Sequence, residues 1–120
     1  MTMGTSDARK QELKQEYRLR KPDMGVFGVM RSDGLRCLVE ASHDLKSMIN
    51  RTQFQLDAGF HPNRDLQRDW TQNGARGFEI RILEKLEYDE DESKTDYQDE
   101  IALLKAAWID KLREQGVELF

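Results

Sequence analysis

The sequence is poor in the residues that most often announce a reactive site. Its one cysteine, Cys37, excludes an internal disulfide framework and fits a reducing compartment. The two histidines, His43 and His61, stand 18 positions apart with no cysteine at metal-ligand spacing, so a zinc site is not expected. There is no glycine-rich phosphate loop, no serine-centred elbow and no dinucleotide fingerprint. No apolar run approaches the ~20 residues a membrane helix needs, and the N-terminus lacks the apolar core of a signal peptide. A cytoplasmic protein with no membrane partner is therefore expected. Repeats, low-complexity tracts and linkers are absent as well, and 120 residues at 38% hydrophobic support one modest core.

Positive charge is also scarce. The net charge is −4, and it is unevenly spread. Residues 1–81 carry 14 Lys and Arg against 11 Asp and Glu, whereas residues 82–120 carry 5 against 12. A dedicated nucleic-acid binder shows a basic face, which only the first part could supply, and mildly. The acidic part repels phosphate unless it points away.

What is present is a readable succession of elements. Residues 6–20 predict a helix, with Ser6 as N-cap, Asp7 in the first turn and Leu13 and Tyr17 as its narrow apolar stripe. Pro22 ends it, which sets off an N-terminal helix and arm over 1–22 from a domain over 23–120. Val26, Phe27, Val29 and Met30 predict one strand and Leu35, Cys37, Leu38 and Val39 another, joined by Ser32-Asp33-Gly34 as a tight turn. Within a strand, Cys37 reads as a small buried hydrophobe. After Ser42 the period changes to 3.6, placing Leu45, Met48, Ile49, Thr52 and Leu56 on one helical face that Gly59 closes. His43 then falls near that helix's start without a catalytic purpose, and His61 falls in the loop after it. Asn63 caps a third helix carrying Leu66 and Trp70, with Asn73-Gly74 at its end.

Phe78, Ile80 and Ile82 alternate, predicting a third strand over 77–83 with one face buried, with Leu86 and Tyr88 as its extension or exit. Asp89-Glu90-Asp91-Glu92 is too repulsive for regular structure, and it lacks the glycine and glutamate spacing of a calcium loop. Thr95 or Asp96 caps a last helix with Tyr97, Ile101, Leu104, Trp108 and Leu112 on one stripe. Gly116 ends that helix, and residues 117–120 read as a short apolar tail. The expected class is α/β (α+β): a small, mainly antiparallel three-stranded sheet flanked by helices, in the order α-β-β-α-α-β-α.

Three stretches carry a resemblance. GVF, a hairpin, then LVEAS before a helix resembles the paired strand motifs of the GIY-YIG nuclease domain. HPNRDLQRDWTQNG resembles that family's Asn-x-x-Leu-x-x-x-Trp helix, GFEIRILEKLE its third strand, and LLKAAWIDKL its final helix with Trp-Ile. The likeness spans residues 25–112. It implies a metal-dependent DNA endonuclease in which tyrosine acts on the attacking water, arginine stabilises phosphate charge and glutamate holds one divalent ion.

Mapped one at a time, those roles meet unreactive side chains. The two tyrosines fall on Phe27 and Leu38, the closing glycine of the second motif on Glu40, and the helix arginine on Met48. The metal-binding glutamate, three residues before the Trp, falls on Lys105, which has no lone pair to offer. Arg51, one turn beyond Met48, and the carboxylates Glu40 and Glu100 are the candidate substitutes.

The expectation is a catalytically degenerate GIY-YIG protein acting as a nucleic-acid-binding or protein-interaction module, needing no cofactor. Lys46, Arg51, Arg64 and Arg68 are the candidate phosphate contacts to weakly held duplex DNA. One alternative is an active endonuclease using the displaced residues with Mg²⁺ or Mn²⁺. Another is a homo-oligomer or partner-binding protein using an apolar surface near Phe120.

Overall fold

The computed structural model describes residues 21–120, so the helix expected over 6–20 lies outside the described residues. Strand β1 (Met24–Arg31) and strand β2 (Arg36–Ser42) form the expected hairpin, closed by the Gly34 N–H donating to the Arg31 carbonyl at 2.8 Å. Helix α1 (Leu45–Ala58) starts at Asp44, whose carboxylate accepts from the Ser47 N–H, and ends at Gly59. Helix α2 (Arg64–Asn73) starts at Asn63, whose side chain accepts from the Leu66 N–H. A single 3₁₀ turn (Ala75–Gly77) leads into strand β3 (Phe78–Leu86). Helix α3 (Gln98–Glu114) closes the domain, with Tyr97 in the cap position and the Asp96 carboxylate accepting from the Gln98 N–H.

The sheet has four strands, not three, in the order β3-β1-β2-β4. Residues 117–120 are not a loose tail: Glu118–Leu119 forms strand β4, parallel to β2. The Glu118 N–H reaches the Leu35 carbonyl at 2.8 Å and the Phe120 N–H reaches the Cys37 carbonyl at 3.1 Å. Two residues are too few to show a period, so only the free edge of β2 makes them a strand. Phe120 packs against Phe78, with ring centroids 6.2 Å apart, and beneath the Arg36 guanidinium at 4.1 Å. The apolar tail ending at Phe120 therefore packs in part within the chain and stays partly exposed.

Alternation along the strands sends side chains to two cores. Phe27, Val29 and Leu38 face α1 and α2, packing with Leu45, Leu56, Leu66, Trp70 and Phe78. Val26, Cys37 and Val39 face α3 and pack with Leu112, Leu104 and Trp108. Met24, Tyr97 and Ile101 form a third cluster beside the start of α3.

Along strand β3, Phe78, Ile80 and Ile82 keep the expected alternation, pairing with Arg31, Val29 and Phe27, although Ile82, on the edge strand, stays 41% exposed. Leu83 lies on the opposite face and packs into the α3 core. The register against β1 slips between Val26 and Phe27, which pair with Glu84 and Ile82 and leave Leu83 unpaired as a bulge.

Directly before the bulge, Gly25 has φ +150° and lies so close to β3 that a Cβ would sit 2.2 Å from the Glu84 carbonyl oxygen. Backbone, not a flexible side chain, blocks that space. Gly25→Ala is expected to destabilise the domain by about 2 kcal/mol or more. Urea unfolding followed by tryptophan fluorescence measures this; an unchanged midpoint would contradict the tight β1–β3 approach.

Candidate functional site

The fold brings one group of polar side chains together at the end of the sheet. Phe27 pairs across strands with Glu40, so the Glu40 side chain rises on the same face as Phe27 and Leu38, towards α1. There a cleft of about 390 Å³ is lined by Glu40, Met48, Arg51, Thr52, Gln55 and the loop residues His61, Pro62 and Asn63. Met48, Arg51, Thr52 and Gln55 share one side of α1 because they are spaced three and four apart. Thr52 is the buried polar member of this group.

The loop between α1 and α2 is pinned at both ends. The His61 N–H donates to Gln67 Oε1 at 2.9 Å, and Gln67 Nε2 donates to the Leu56 carbonyl at 3.0 Å. The Asn63 N–H donates to His61 Nδ1 at 3.0 Å, so that nitrogen is unprotonated and the ring proton sits on Nε2. Burial holds the His61 pKa below its ordinary 6.5, with the Glu40 carboxylate pulling the other way.

Lys105 reaches Glu40 from α3, with Nζ 4.0 Å from Oε2. Both side chains are partly exposed, at 38% and 29%, so the pair contributes at most ~1 kcal/mol. Its consequence is electrostatic: an ammonium already sits beside the one carboxylate of the cleft.

Each position singled out in the sequence can now be placed. Phe27 is 0% exposed and Leu38 7%, both within the core that backs the cleft. Met48 is half-buried against that core. Arg51 is exposed and lines the cleft with Glu40. Glu100 is not part of it: it pairs with Lys94 beside Tyr97, near the start of α3. Arg64 and Arg68 line a neighbouring hollow of about 560 Å³ with Phe60, His61, Pro62 and Gln67, and the two hollows share His61 and Pro62. Lys46 is exposed on the first turn of α1.

His61 is the residue that sequence reasoning undervalued. A histidine in a loop carries no periodic signal, and only the packing of α1 against α2 puts it on the wall of the cleft. Cys37 is buried as expected, and desolvation pushes its thiol up to about 11.

Among the described residues, no three His, Cys, Asp or Glu side chains gather closely enough to hold a metal. Nor is any helix of the described residues long and apolar enough to cross a membrane.

Two solved structures resemble this fold. The catalytic domain of homing endonuclease I-TevI matches with a TM-score of 0.62 at 22% identity, over 81% of this chain and 97% of that one. A Glu-to-Ala mutant of the catalytic domain of intron endonuclease I-TevI matches with a TM-score of 0.60 at 24% identity, over 76% of this chain and 84% of that one. No family model and no curated protein matches the sequence. At these identities the likeness establishes the fold, a GIY-YIG-like domain.

Two measurements check the site. The His61 ring is expected to titrate by NMR with a midpoint below 6.5. The unfolded chain then takes the proton first, so stability falls as pH drops from about 6.5 towards that midpoint; a midpoint at or above 6.5 contradicts the burial. Cys37 is expected to resist alkylation at pH 8 in the native state and to react on unfolding, because its thiolate is scarce. Rapid native labelling would contradict its place in the core.

Proposed function

We propose that this GIY-YIG-like domain does not cleave DNA and instead uses the face of α1 and α2 as a binding surface, with duplex DNA, held weakly, as its first partner. The observation that carries this reading is the fate of the four mapped positions. Phe27 and Leu38 are core hydrocarbon, Met48 leans on that core, and Lys105 is paired with Glu40. Phosphodiester hydrolysis needs an oriented nucleophile, a cation for the developing charge and a metal to polarise oxygen. General acid–base and electrostatic contributions are each worth about two to four orders of magnitude in rate. With Phe27, Leu38 and Lys105 at their positions, none of these has its group.

Charge placement supports the binding half. Residues 45–77 hold five Lys and Arg against three Asp, and Asp69 is engaged by Arg31 at 3.0 Å. The acidity gathers in residues 87–97, with six carboxylates against Lys94. That loop belongs with Tyr97 and the start of α3, and it lines neither hollow. A protein partner on the same face, or a second copy of the chain, is the remaining form of the module.

A second reading rests on one observation: Glu40, Arg51 and His61 line a single cleft. In that reading the chain is an endonuclease with Mg²⁺ or Mn²⁺ as cofactor and Arg51 as the phosphate-facing cation. Supercoiled plasmid incubated with either ion separates the two. The expected result is no nicking. Nicking that disappears in Arg51→Ala would replace the first reading by the second. For duplex binding, Arg51→Ala and Arg68→Ala are each expected to weaken affinity and to lower the salt slope by about one. Anisotropy titrations at several ionic strengths measure this, and no salt-dependent binding at low ionic strength would end the DNA reading.

A further inference from the structure

The α1–α2 connection presents two large aromatic rings to solvent. Phe54 is 66% exposed and Phe60 56%, with ring centroids 5.8 Å apart and planes at 77°. Part of this arrangement is explained by helix termination. Gly59, in the left-handed region at φ +86°, donates to the Leu56 carbonyl, and the Phe60 N–H donates to the Gln55 carbonyl at 3.0 Å. Such an ending commonly brings the residue after the glycine onto the last helical turn, and Phe60 meets Phe54 in that way. A leucine would serve that contact equally well. What the helix ending does not account for is a second phenylalanine left more than half in water beside a hollow edged by guanidinium groups.

That hollow is lined by Phe60, His61, Arg64 and Arg68. An exposed ring next to two arginines on one helix face (four apart on α2) suits a ligand with a flat π-face and a phosphate within one nucleotide's length. In duplex DNA the base faces are covered by stacking, and a ring reaches them only by unstacking a step at a cost of about a few kcal/mol. In a single strand they are open, and base–aromatic stacking is tolerant of sequence because every base has a π-face.

From this we propose that the hollow between α1 and α2 binds single-stranded DNA, with Phe60 stacking on an unpaired base and Arg64 and Arg68 holding the adjoining phosphates. The proposal rests on the basic-face reading and specifies the form of DNA that the face prefers. It takes the Phe54–Phe60 contact as the brace that holds the Phe60 ring upright. The acidic loop at 87–97 does not line this hollow, so the arginines meet the strand unopposed by it.

The test compares a fluorescent oligodeoxythymidylate with a duplex of the same length, by anisotropy at low ionic strength. Wild type is expected to bind the single strand more tightly than the duplex. Phe60→Leu keeps the aliphatic contact with Phe54 but removes the flat ring, and is expected to lose about tenfold on the single strand, so that the preference over the duplex disappears. Phe60→Tyr restores the ring and is expected to bind as wild type, which separates stacking from any loss of folding. Salt-dependent duplex binding with no preference for the single strand, or with no effect of Phe60→Leu, overturns this inference and leaves the basic-face reading standing. Binding to neither overturns both. A monomer–dimer equilibrium in sedimentation that Phe60→Leu abolishes, without a single-strand preference, overturns it in favour of a second copy of the chain.

Discussion

The register of β1 against its neighbours is the constraint on which the rest of this domain depends. β1 is hydrogen-bonded on both sides, to β2 and to β3, and its residues from Met24 to Val29 are buried. Moving it by one residue would exchange its two faces, sending Phe27 and Val29 to α3 and Val26 to α1. Gly25 fixes the start of that register, because only a residue without Cβ can come so close to the Glu84 carbonyl. The Leu83 bulge fixes its continuation. The pairing of Phe27 with Glu40 then carries the register directly into the cleft.

The same strand sets the surroundings of Phe27, the first of the mapped positions. Burying a side chain such as Phe27 contributes about 1.5–3 kcal/mol to stability. A hydroxyl at that place would need a hydrogen-bond partner, and its cross-strand neighbour Glu40 is the polar group on the same face. Leaving it unpaired costs about 1–3 kcal/mol. Of the positions that the resemblance maps, Phe27 and Leu38 lie in the core and contribute to its packing, whereas Met48 is half-buried and Lys105 is 38% exposed. Lys105 places positive charge beside Glu40, the carboxylate that lines the cleft.

With the interior of the site filled, the polar chemistry that remains lies on its rim. Glu40, Arg51 and His61 edge one hollow, and Arg64, Arg68 and Phe60 edge the next, with His61 and Pro62 between them. The connection between α1 and α2 therefore borders both hollows. Its backbone is held by Gln67 and Asn63, which gives a solvent-facing loop the rigidity that recognition requires.

Much of this was legible in the chain itself. Strand alternation and the change to a 3.6 period are local, so β1, β2, α1, α2 and their caps at Asn63 and Gly59 follow from neighbouring residues. The mapping of Phe27, Leu38, Met48 and Lys105 also needed only the motifs and their spacing. Three things needed the tertiary structure. Strand β4 exists because residues 118–119 meet the free edge of β2, a pairing across some eighty positions that leaves no local pattern. The exposure of Ile82 follows from the place of β3 at the sheet edge, which its own alternation does not reveal. The site's composition, with Glu100 removed from it and His61 brought in, was decided by helix packing. Local sequence fixes which face of an element is apolar, but only the assembled layers determine which polar groups end up facing one another.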